Sequence, residues 1–177
     1  MKKILTLIIM LSFSFSLSAE IALPKGIIKI TPRIAPPLSL ENMDGEKFNL
    51  SIGKQRWSFV HFWASWCGPC RREMPTIQAV TQDMTKDNID FVIVNTAESE
   101  DTVFSFLGAV APDINSLLDR DGLVTEQWQP RGLPSTYLVD PNGKIQYVVI
   151  GGQDWEKPLY QNFLRQLSQF NANMKKK

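Results

Sequence analysis

Trp57-Ser-Phe-Val-His-Phe-Trp-Ala-Ser-Trp-Cys-Gly-Pro-Cys-Arg-Arg-Glu-Met-Pro75 contains the only two cysteines of a 177-residue chain. Its first seven residues are apolar at almost every position, the pattern of a strand buried on both faces. From Cys67 to about Met84 the spacing predicts a helix, with Met74, Ile77, Val80, Thr81 and Met84 on one face and a kink at Pro75. Cys67 and Cys70 therefore stand where a buried strand turns into a helix. The first turn of a helix leaves backbone N–H groups unpaired and carries the positive end of the dipole. A cysteine placed there is shifted toward its thiolate, the attacking form of the side chain. Cys70, one turn further in, is better shielded and close enough to form a disulfide with Cys67. Gly68 lets a substrate backbone approach, and Pro69 suits a first turn because no N–H is needed there.

The spacing divides the labour: Cys67 attacks a substrate disulfide, and Cys70 resolves the mixed disulfide. A structural disulfide is the weaker explanation, since bridging residues three apart closes a tiny loop. Structural zinc needs four ligands, whereas the chain offers two cysteines and one histidine, His61, inside a strand. No metal or other cofactor is expected.

Outside this stretch, 44% hydrophobic and 21% charged residues describe an ordinary globular chain long enough for one sizeable core. No charge block points to nucleic acid, and residues 172–177 read as a basic tail. Residues 1–19 read as a secretory signal peptide: Lys2 and Lys3 precede an apolar run from Ile4 to Leu17, and Ser16-Leu-Ser-Ala19 offers small residues for cleavage. Retention of the segment as an N-terminal membrane anchor is the alternative. Loss of both lysines leaves 17 basic against 18 acidic groups. Export of this bacterial style points to a periplasm or cell exterior, with the periplasm the expected location, a space that permits disulfides.

Residues 20–35 read as a Pro-rich tether and 36–171 as a single domain. Leu38 to Leu50 is a hairpin about Asp44-Gly45, and Gly53 to Arg56 is a polar loop. Phe91–Val94 is a buried strand. Ser99 caps a helix with Val103, Phe106 and Leu107 on its core face. Leu117-Leu118 is a short strand, and a helical turn runs from Asp121-Gly122 to about Trp128. Arg131–Ser135 is a loop before the strand Thr136–Val139, and Asn142-Gly143 turns into the strand Ile145–Ile150. A last helix follows Asp154, with Leu159, Phe163, Leu167 and Phe170 at helical spacing. Strands alternating with helices, then a hairpin, predict an α/β fold: a mixed central sheet flanked by helices, with an N-terminal hairpin.

Phe62-Trp-Ala-Ser-Trp-Cys-Gly-Pro-Cys70 resembles the active site of the thioredoxin-like superfamily. Arg71-Arg-Glu-Met-Pro75, the segment Glu98–Arg131 (read as a central insertion), Gly132-Leu-Pro-Ser-Thr136 and Gly151-Gly-Gln-Asp-Trp155 are similar to its periplasmic TlpA/ResA branch. The resemblance covers about residues 36–170. It implies a cis peptide bond at Pro134 facing the disulfide, with Leu133 and Pro134 offering backbone groups to an extended substrate chain beside Gly68 and Pro69. It implies that Glu73 assists proton transfers of the thiols; a surface carboxylate suited to a helix start is the other reading. His61 departs from the acid or amide of the family and reads either as a proton acceptor behind Cys70 or as a hydrogen-bonded core residue. Trp66 is expected to shield the site and meet partners, while Trp63, Met74, Met84 and the phenylalanines pack the core.

The activity implied is reduction of disulfides in exported proteins, with a membrane thiol reductase as electron donor. Apocytochrome c or a copper-site protein are substrate classes of the branch, although Ser135 stands where its cytochrome-maturation members carry an acid. An oxidant or isomerase, or a binding module or metallochaperone on the same fold, are the alternatives. A peroxidase is disfavoured because no Thr-x-x-Cys occurs.

Overall fold

The computed structural model describes residues 23–50, 56–87 and 89–174, with the side chains of 170–174 excepted. The expected signal peptide, the start of the tether, most of the Gly53–Arg56 loop, the side chain of Phe170 and the lysines of the basic tail lie outside the described residues.

The strands are β1 (Ile27–Ile34), β2 (Ser39–Asn42), β3 (Lys47–Asn49), β4 (Trp57–Trp63), β5 (Ile89–Thr96), β6 (Leu117–Asp119), β7 (Ser135–Val139) and β8 (Lys144–Ile150). The helices are α1 (Gly68–Asp83), α2 (Glu100–Val110), α3 (Leu123–Trp128) and α4 (Pro158–Met174). Among the described residues the strands form one mixed sheet in the order β1-β8-β7-β4-β5-β6-β2-β3. β4 is central, parallel to β5 and antiparallel to β7, and every residue of it is buried. That position explains its continuous apolar run, because both faces of a central strand are covered.

Alternate residues of β4 build two cores. Phe59 and Trp63 face α1, α2 and α4, joining Met74, Ile77, Val80, Leu107, Trp155 and Phe163. Val60 and Phe62 face the other way, joining Trp128, Tyr137, Val139 and Ile145. Each large side chain fully removed from water stabilises the fold by ~1.5–3 kcal/mol. The face toward α1 is therefore the more heavily anchored, and it holds the cysteines.

Three expectations need correction. Residues 27–34 are not a tether: they form β1, the edge strand paired antiparallel to β8. The ladder shifts register between Lys29 and Arg33, the span that contains Pro32. An edge position with a local irregularity is where a strand tolerates proline, and a strand exposed along most of its length shows little apolar period. Phe104 is not core; it is 64% exposed on α2, one position off the Val103–Phe106–Leu107 face. Leu159 is also exposed, and α4 packs instead through Tyr160, Phe163, Leu164 and Leu167. The other expected elements occur where the pattern placed them. Asp44-Gly45 and Asn142-Gly143 turn with Gly45 and Gly143 at positive φ, and α1 runs through Pro75 to Asp83.

Candidate active site

β4 ends at Trp63, and four residues separate it from the start of α1 at Gly68. Cys67 is the N-cap of that helix, with extended backbone, and Pro69 lies in its first turn. The Cys67 Sγ accepts a hydrogen bond from the Cys70 backbone N–H at 3.2 Å. An N-cap sulfur facing an otherwise unpaired amide at the positive end of the dipole is the arrangement that favours a thiolate. The two cysteines are joined in a disulfide, with Cα atoms 5.2 Å apart. Cys67 is 5% exposed and Cys70 fully buried, so the first sulfur is the one an incoming group reaches. Gly68, Pro69 and Trp66 surround it in the open, Trp66 at 69% exposure, while Trp63 is buried and donates to Ser116.

The loop before Cys67 is tied from two sides. Glu98, just after β5, accepts from the Ser65 N–H and the Asn95 side chain through one carboxylate oxygen, both at 2.7 Å. Its other oxygen accepts from the Ser65 hydroxyl. Arg71 donates to the Ser65 carbonyl and lies over the Phe106 ring at 4.9 Å. Sequence reasoning assigned none of this to Glu98 or Ser65. The available signal was an acid two residues beyond a buried strand that runs parallel to β4.

The Leu133–Pro134 peptide bond is cis. Pro134 is buried and immediately precedes β7, whose Ser135 pairs with Phe62 of β4. The proline therefore lies at the end of the sheet from which α1 departs. Its carbonyl accepts from the Gly151 N–H at 2.9 Å, and Leu133 packs against both cores.

Glu73 is not a surface carboxylate. It is 2% exposed, covered by the 151–155 segment. One carboxylate oxygen accepts from the Gln153 N–H at 3.1 Å and from the Trp155 indole N–H, and the other has no partner among the described residues. Burial pushes the carboxyl up from its ordinary range to about 7, against the opposing pull of those two hydrogen bonds. The segment approaches closely because residue 152 is glycine: a Cβ there would stand 3.2 Å from the Pro69 carbonyl and 3.5 Å from Glu73. A groove of about 330 Å³ beside Pro69, Arg72 and Thr76 leaves this carboxyl near solvent on one side.

His61 lies on the same sheet face as Trp63. It is fully buried, with Nδ1 2.9 Å from the Thr136 hydroxyl and Nε2 without a partner among the described residues. Its ring stacks near Phe59, which in turn meets Trp155 edge-on. Desolvation lowers its pKa to about 3, so the imidazole is neutral at physiological pH. The ring is thus hydrogen-bonded core with one nitrogen open.

The site can therefore accept attack at a shielded disulfide, stabilise a thiolate on Cys67, and exchange a proton at a carboxyl that titrates near neutrality. The proteins that this chain is similar to include thiol–disulfide oxidoreductases. The AhpC/TSA family profile matches residues 32–148. The thiol-disulfide oxidoreductase ResA of Bacillus subtilis is 32% identical over 117 residues, which are 66% of this chain and 65% of ResA. The match thus spans just under two thirds of that relative's own length. The thioredoxin-like protein YneN of the same organism is 32% identical, with 66% of this chain and 69% of YneN covered. Among solved structures, a Chlorobium tepidum protein assigned as the thiol:disulfide interchange protein DsbE superposes with a TM-score of 0.66 at 25% identity, covering 81% of this chain and 99% of that one.

Proposed function

The chain belongs to the AhpC/TSA family of thioredoxin-like proteins, and from that premise and the placement of its cysteine pair we propose that it is an exported enzyme, a thiol–disulfide oxidoreductase that reduces disulfides of periplasmic proteins. The observation that carries the reading is Cys67 at the N-cap of α1, its Sγ accepting the Cys70 amide and bonded to a buried Cys70. Only the reduced form attacks. The Cys67 thiolate displaces one substrate sulfur as a thiolate and forms a mixed disulfide. Cys70, deprotonated, then attacks Cys67 Sγ and releases the second substrate thiolate. Two electrons pass to the substrate, and the Cys67–Cys70 disulfide is what remains on the enzyme.

Glu73 lies three residues beyond Cys70 on α1 and titrates near neutrality, which suits it to exchange the proton that Cys70 must lose. His61, on the α1 face of β4, stays neutral and keeps one nitrogen without a partner among the described residues. Leu133 and Pro134 receive the substrate backbone, with Gly68 and Pro69 opposite and Trp66 as the exposed contact. Recovery of the dithiol in an oxidising compartment requires an external donor, a membrane thiol reductase.

Cys70→Ser tests the assignment, because it leaves Cys67 able to attack but not to be resolved. A mixed disulfide trapped on Cys67 is the expected product, and none in the Cys67→Ser variant. The direction is tested by the reduction potential against glutathione. A value near the −270 mV of thioredoxin agrees with a reductant, and one near the −120 mV of DsbA overturns that direction.

A further inference from the structure

Among the described residues, the sheet face opposite α1 is covered at its centre and uncovered toward its edge. Tyr137, Val148 and Ile28 occupy one row across β7, β8 and β1. Tyr137 beneath Trp128 is 3% exposed, whereas Ile28 at the edge is 49% exposed. In the next row Ser135 is buried and its partner Ile150 is 39% exposed. Ile28, Ile30, Val148 and Ile150 line a groove of about 230 Å³ flanked by Arg33 and Arg131.

Three properties define what fits it. The groove is smaller than the ~300–1,000 Å³ of small-molecule sites, a size for side chains of a peptide. Its branched aliphatic lining takes an apolar residue. Both arginines are exposed, and among the described residues neither enters an ion pair, so the complement carries carboxylates. Ser135 also lines the groove, one residue after Pro134. The groove therefore begins where the Pro134 loop ends.

We propose that this groove is a specificity subsite for an acidic–aliphatic segment flanking the disulfide of the protein substrate. The inference rests on the oxidoreductase reading, and the substrate chain laid along the Pro134 loop continues into the groove. Aliphatic side chains fill the space over Ile28 and Ile150, while neighbouring carboxylates meet Arg33 and Arg131.

The test uses the protein with its Cys67–Cys70 pair kept as the dithiol by an added electron donor, whose uncatalysed reduction of each substrate is subtracted, and synthetic cystine-bridged peptides. An Ile-Glu-Leu-Asp segment, or the matched Ile-Lys-Leu-Lys segment, is placed two to six residues from the cystine, a reach of roughly 7–20 Å. Glutathione disulfide serves as a substrate too small to span both places. The expected result is a kcat/KM about tenfold higher for the acidic peptide, expressed in KM and shrinking as salt is raised. The double variant Arg33→Glu, Arg131→Glu inverts the preference toward the lysine peptide, an outcome that misfolding does not imitate. Equal kcat/KM for both peptides at low salt, with glutathione disulfide reduced normally, overturns the subsite and leaves the oxidoreductase reading standing. Failure to reduce any of the three overturns the oxidoreductase reading and the subsite with it.

Discussion

Replacing Glu73 with glutamine removes a carboxyl that the fold keeps poorly solvated. Burial raises its pKa to about 7 from an ordinary value of 4.5. A raised carboxyl binds its proton more tightly in the native than in the unfolded chain, so ionising it costs stability. That cost is absent below pH 4.5, grows as pH rises toward 7, and is constant above. At about 1.36 kcal/mol per pKa unit the full cost is about 3 kcal/mol, an order-of-magnitude figure. Glutamine keeps an acceptor for the Gln153 amide and the Trp155 indole while carrying no charge. Glu73→Gln is therefore expected to match the unmodified protein near pH 4.5 and to exceed it by about 3 kcal/mol at pH 8. This corresponds to roughly 6–12 °C in Tm. Urea or thermal unfolding of both proteins with the Cys67–Cys70 disulfide intact, from pH 4 to 8, isolates Glu73 as the difference between two curves. A difference that does not change with pH refutes the reasoning, because it would mean that the carboxyl is as well solvated folded as unfolded. The same variant, reduced, is expected to exchange more slowly and to shift the thiol titration, since the proton acceptor near Cys70 is gone. Faster unfolding cannot explain that slowing if the variant is the more stable protein.

His61 predicts the opposite slope. Its pKa falls from 6.5 to about 3 on folding, so its contribution is complete above pH 6.5 and is lost as pH falls toward 3. His61→Asn is expected to flatten the acid limb, recovering about 3 kcal/mol of pH-dependent loss by pH 4.5, and unfolding measured between pH 4 and 7 checks it. Gly152→Ala forces a Cβ to 3.2 Å from the Pro69 carbonyl, a backbone atom that cannot swing aside. The expected cost is ~1–3 kcal/mol. Lifting the 151–155 segment also admits water to Glu73, so the stability slope between pH 4.5 and 7 becomes shallower in this variant; an unchanged slope counts against the segment as the cover of Glu73.

The sequence by itself determined the strand–helix junction and hence the chemistry of the pair. The continuous apolar run of Trp57–Trp63 needs a central strand, the 3.6-residue period after Cys70 needs a helix, and Cys67 at their boundary is an N-cap by position alone. Local turn chemistry likewise fixed the Asp44-Gly45 and Asn142-Gly143 hairpins, because it depends on neighbours in the chain. What depends on residues far apart was not legible. Residue type and spacing leave Glu73 open between an acid serving the thiols and a surface carboxylate, and its burial is decided only when Gln153 and Trp155, 80 and 82 residues away, close over it. His61 needed Thr136, 75 residues on, to tie one nitrogen and leave the other open. β1 lacks an apolar period because an edge strand is buried along little of its length, so only its ladder to β8 reveals it. The tertiary structure decided these points because desolvation is a property of the folded surroundings. A carboxyl or an imidazole acquires its pKa from what packs over it, and one-dimensional spacing carries no record of that cover.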